Sequence, residues 1–163
     1  MKRSVLLLVI LALLGGFAVW WFQPAQVLRR RTRSLLSTLT LQSGDDKRAR
    51  QIGVYALNGL LSSQVEFVAP PSLDQASGNF ERSEVESAFA WLCDQAKLTR
   101  FQLRQFHTVT VTGDQADVTC LIDALVELPE SRPINGRYEC AFHWQLEHET
   151  WHLTRATWTE AGH

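Results

Sequence analysis

The hydrophobic pattern changes character three times along the chain. Residues 4–22, SVLLLVILALLGGFAVWWF, carry no charge. A helix needs about 20 apolar residues to cross the hydrocarbon of a bilayer, so this stretch is long enough to span. Trp20, Trp21 and Phe22 close it, where amphipathic rings favour the headgroup interface. The pattern predicts an uncleaved single-pass signal-anchor over residues 1–23. The competing reading is a cleaved signal peptide, with Lys2 and Arg3 as the basic leader and Gly16 and Ala18 before the cut.

Beyond Pro24 the spacing becomes helical. Val27, Leu28, Leu35, Leu36 and Leu39 recur with arginines between them, predicting a basic juxtamembrane helix over 24–44, the first helix of a domain whose remainder occupies 45–163. Gly44-Asp45-Asp46 is a break, after which Ala49, Ile52, Gly53, Ala56, Leu57, Leu60 and Leu61 predict a second helix. A short strand over 64–68 alternates Val65 and Phe67 about Glu66, and a polar loop over 72–82 follows. Ser83 and Glu86 fit a capping box, so a third helix is expected from there to about Lys97. From Phe101 the period falls to two, predicting strands over 101–112, 115–127, 137–147 and 151–160. The expected fold class is α+β: helices packed on one face of a curved antiparallel sheet of four to five strands.

Centring the first hairpin on Gly113-Asp114 pairs Val111 with Ala116, Val109 with Val118, His107 with Cys120 and Gln105 with Ile122. That register turns Tyr138, Cys140, Phe142, Trp144, Trp151, Leu153 and Arg155 inward. Gln105, His107, Tyr138, Trp144 and Arg155 then become ligand-pocket candidates, with Arg155 able to hold an anion. The alternative is that Arg155 sits at a bulge and points outward. The same register leaves Phe106, Leu121, Leu125 and Trp158 on the outer face, an apolar group suited to a partner, most simply a second copy or another membrane-associated protein.

The order of helices, short strand, capped helix and four long strands resembles the nuclear transport factor 2-like (cystatin-like cone) superfamily. HTVTVTGDQADVTCLI is similar to its first long hairpin and WHLTRATWTE to its closing strand. The resemblance implies a sheet wrapped around helices, often with an internal pocket and often dimeric through the outer face. It implies no single activity, since members include isomerases, dehydratases, transport factors and secretion scaffolds.

Charge adds an asymmetry that the overall balance of −1 conceals. Residues 24–50 hold seven basic against two acidic side chains, a net of +5, whereas residues 51–163 hold seven against fifteen, a net of −8. Arg29, Arg30, Arg31 and Arg33 form a collar next to the span, suited to anionic headgroups or simply to fixing topology. Counted by the positive-inside rule the collar favours a cytoplasmic domain, while the very short basic leader is how exported, anchored proteins begin. We expect export, against which the unpaired cysteines weigh slightly.

Chemistry is sparse. Asp117, Asp123 and Glu139 all point outward in this register, so no inward carboxylate is available to orient His107, and no catalytic residue is assigned. His143, His148 and His152 lack a cysteine companion, and no metal is expected. No phosphate loop or dinucleotide fingerprint occurs, so no cofactor is expected. The collar lacks interleaved aromatics, which argues against nucleic acid. Cys120 and Cys140 lie several pairs apart in this register, too far for a disulfide. The sequence therefore reads as a membrane-anchored, non-catalytic binding or scaffold module working through its outer sheet face, or else as a small-molecule binder or weak enzyme using the cone interior.

Overall fold

The computed structural model describes residues 22–42 and 47–162. The anchor segment, with Trp20 and Trp21, lies outside these residues. Among the described residues no helix is long and apolar enough to cross a membrane.

Helix α1 (Pro24–Thr38) starts on Pro24, whose fixed φ suits a first turn. It buries Leu28, Thr32, Leu35 and Leu36, one stripe at helical spacing. It ends well before residue 44: Leu41 forms a backbone bridge with Thr99, and Thr99 is itself fully buried. Helix α2 (Lys47–Asn58) buries Leu57 against the same core. Helix α3 (Arg82–Gln95) begins two residues earlier than the Ser83 motif suggests. There Glu84, not Glu86, reaches back to the start of the helix, its carboxylate accepting the Glu81 N–H at 2.7 Å. Glu86 is instead engaged by Asn58 of α2.

The sheet has six strands rather than four to five, and it is mixed. Strand β1 (Leu61–Val68) is followed by a 3₁₀ turn, Pro71–Ala76, and by β2 (Gly78–Glu81), which falls inside the stretch expected to be a polar loop. The long strands are β3 (Leu98–Thr112), β4 (Gln115–Glu127), β5 (Ile134–Glu147) and β6 (Thr150–Glu160). Their order is β2-β1-β6-β5-β4-β3, with β1 parallel to β6 and every other pair antiparallel. The core lies between the helices and one sheet face: Val118, Cys120, Trp144 and Leu153 are at most 1% exposed, and Leu28 of α1 is wholly covered. Burying a side chain of this size contributes about 1.5–3 kcal/mol each, so this interface dominates the stability of the fold.

Three bulges decide which side chains face that core. Near the turn, Val111 pairs with Ala116 and Val109 with Val118, as the hairpin predicts. Then His107 is an extra residue, and Phe106 rather than His107 stands opposite Cys120. Arg104 is a second extra residue, so Leu103 meets Ile122 and Phe101 meets Ala124. In β6, Trp144 pairs with Leu153 but His143 with Arg155, leaving Thr154 as the bulge. Each inserted residue flips the alternation of everything beyond it.

Candidate functional site

The expected interior pocket does not assemble. Of its five residues, Tyr138 and Trp144 face the core. Gln105 is exposed opposite Leu121 on the outer face, His107 is turned outward to Glu139 at 3.0 Å, and Arg155 pairs outward with Glu66 at 3.3 Å. The three polar members leave because the bulges at His107 and Thr154 reverse their phase, while the bulge at Arg104 restores the alternation for Leu103 and Phe101. What fills their place is apolar: Phe106 and Ala156 turn inward, and Trp158 stands edge-on to Phe67 at 6.1 Å between centroids. Two polar atoms in the interior, Trp144 Nε1 and Thr32 Oγ1, are buried without a hydrogen-bond partner among the described residues. Burial raises the Tyr138 hydroxyl above its ordinary pKa, with Glu160 adding to the effect.

The expected apolar outer face loses the same residues. Phe106 and Trp158 belong to the helix side, and Leu121 and Leu125 remain outside, half-buried. Around them the face is laced with opposite charges. Asp123 accepts from Arg104 (Nε and Nη2, both 2.6 Å) and from Arg137 (Nε, 2.9 Å). His143 pairs with Asp117 across β4 and β5, and Thr108 shares a hydrogen bond with Thr119 at 2.7 Å. Hydrogen bonds from Arg137 and Arg104 hold the Asp123 carboxyl below its usual range, so it stays ionised. His152 lies 3.5 Å from Glu147, too long for a hydrogen bond, and burial lowers its pKa against the pull of that carboxylate.

The arginine collar is built into the domain. Arg29 and Arg33 stack over the Phe106 ring at 5.5 and 5.2 Å, and Arg31 donates to the Gly59 carbonyl at 2.9 Å. Arg29, Arg30 and Arg31 are each partly covered, while Arg33 is exposed. Burial depresses the Arg31 pKa from a value so high that the group keeps its charge. Among the described residues no cluster of three or more His, Cys, Asp or Glu side chains could hold a metal ion.

The prominent cavity lies at the end of the long strands remote from the Gly113-Asp114 turn. It is an open groove of about 890 Å³ lined by Arg100, Arg104, Asp123, Arg137, Tyr138 and Glu160. Apart from Tyr138, none of these stands among the sequence candidates. The signal was present in Arg100, Gln102 and Arg104, alternating on one face of β3 opposite Asp123. It reads from sequence as an ordinary wet face.

No protein-family model matches the chain, and no curated protein matches it. Solved structures do. A nuclear transport factor 2-like protein from Cytophaga hutchinsonii superposes with a TM-score of 0.65 at 14% identity, over 86% of this chain and 100% of that one. The chain has the nuclear transport factor 2-like fold. A protein of that family from Streptomyces avermitilis, provisionally named a dehydratase, matches with a TM-score of 0.62 at 16% identity, over 85% of this chain and 96% of its own. The CaMKII hub of S. rosetta matches with a TM-score of 0.58 at 19% identity, over 85% and 98%. Identities this low establish the nuclear transport factor 2-like architecture, which enzymes and non-enzymes share.

Proposed function

We propose that this nuclear transport factor 2-like chain is a membrane-anchored, non-catalytic association module whose outer sheet face meets a second copy of itself. The observation that carries the reading is the contrast between the two faces of the sheet. The helix side is filled by Trp144, Phe142, Phe106 and their neighbours and, among the described residues, buries no carboxylate. The outer side places Leu121 and Leu125 among paired acidic and basic groups. Such a mixed-sign surface suits an isologous contact, in which each positive group meets its negative counterpart on the other copy. The likeness to a protein named a hub agrees with association.

Anchoring gives the module a direction. Helix α1 runs antiparallel to β3, since Leu41 meets Thr99 while Arg29 and Arg33 meet Phe106 further along the strand. The start of α1 at Pro24 therefore points toward the end of the sheet that carries the Gly113-Asp114 turn. The groove opens at the opposite end of the sheet, and an exported domain remains our proposal.

Native mass spectrometry of the full chain in mild detergent tests association. The expected result is a dimer that Leu121→Arg converts to a folded monomer. A wild-type monomer across micromolar concentrations overturns the proposal. The interior-ligand reading retains one support, the unpartnered Trp144 Nε1 and Thr32 Oγ1, and a small molecule retained in the same spectra would favour it.

A further inference from the structure

We propose that the groove at the distal end of the long strands binds a small organic carboxylate. The inference goes beyond association; the groove shares Arg104, Asp123 and Leu125 with the outer sheet face, so a ligand and a second copy meet overlapping surface. Its lining sets three arginines against two carboxylates, leaving one net positive charge. The groove already displays the chemistry in miniature, because Asp123 is a carboxylate held from both sides by Arg104 and Arg137.

Donors remain after that pairing. Arg104 commits two of its nitrogens and Arg137 one. Arg100 has no hydrogen bond or ion pair among the described residues. A guanidinium presents five N–H groups in a rigid plane that matches a carboxylate edge. Tyr138, mostly buried in the core, also reaches the groove lining. Its ring lies over Gly136, where a side chain would meet the ring at 3.1 Å, so glycine leaves room for the aromatic at this end of the sheet. Leu125 and the Tyr138 ring then offer apolar surface for a carbon skeleton. That surface favours an organic acid over a bare inorganic anion. A volume of about 890 Å³ is within the range of small-molecule sites, roughly 300–1,000 Å³. Glu160, held by Ser72 at 2.8 Å, stands at one side and penalises ligands carrying more charge than the arginines can balance.

Calorimetric titration of the full chain in mild detergent, with succinate as the probe, tests the site. Saturable binding is expected, with Arg100→Ala weakening it about tenfold or more. Because Arg100 holds no internal partner, that variant should keep the wild-type circular dichroism and melting temperature. Tyr55→Ala, on the exposed face of α2, should bind as wild type. Inorganic phosphate should bind more weakly than succinate. The proposal is overturned by absent succinate binding, by binding that Arg100→Ala leaves intact, or by phosphate binding the tighter of the two. The dimer mass is read separately on the same chain, with and without succinate, so failure of the site and failure of association are distinguishable although the two share surface.

Discussion

Cys120 and Cys140 face each other directly across β4 and β5, both free and both buried. Burial pushes the Cys120 thiol up to about 12 and raises Cys140 as well, so neither forms appreciable thiolate near neutrality. Cys93 is buried too, and burial raises its pKa despite the nearby Arg50. The native chain should therefore be inert to a disulfide exchange reagent at pH 8 and yield three thiols once denatured. Fast reaction of any one of them in the folded chain would contradict the buried placement. The sequence register turned Cys140 toward the core, where it lies. It misjudged the offset between Cys120 and Cys140 because nothing local fixes the register across the loop that joins their strands. The same limit applies to Arg155, whose outward turn follows from one inserted threonine that looks like any strand residue.

Elements were more legible than faces. The strand over 115–127 was read with the bounds it has, and each helix overlaps its stripe, because period depends on local sequence alone, although α1 stops at Thr38 and Leu60 and Leu61 fall beyond α2, Leu61 opening β1. Strand β2 escaped because four residues, Gly-Asn-Phe-Glu, carry too little alternation to stand out. The bulges escaped for a subtler reason. Apolar positions in β3 run 101, 103, 106, 109, 111, and in β6 they run 151, 153, 156, 158. Both series change phase midway, and reading them without bulges created two illusions together: a polar interior and an apolar exterior. Helix α1 is a further case, since a run of arginines suggests a membrane collar whereas its leucines make it part of the core. Leu28→Ala should cost about 3 kcal/mol in urea denaturation, as expected for a fully buried leucine. A loss below about 0.5 kcal/mol would mean that α1 is an appendage rather than a component of the domain.

At the scale of the whole molecule, the fold separates stability from recognition. Apolar side chains of three helices and one sheet face close the core, and the opposite face keeps its charges in pairs with Leu121 and Leu125 among them. The central claim is that a second copy covers this outer face. A polyethylene-glycol maleimide can test it in the detergent-extracted full chain, because the native cysteines are buried and contribute little background. Glu139→Cys places the probe on the outer face, and Tyr55→Cys, 85% exposed on α2, provides the open reference. Slow labelling at 139, restored to the rate at 55 when Leu121→Arg is added, is the expected result. Equal rates at 139 and 55 without that substitution would show the outer face bare and contradict the account.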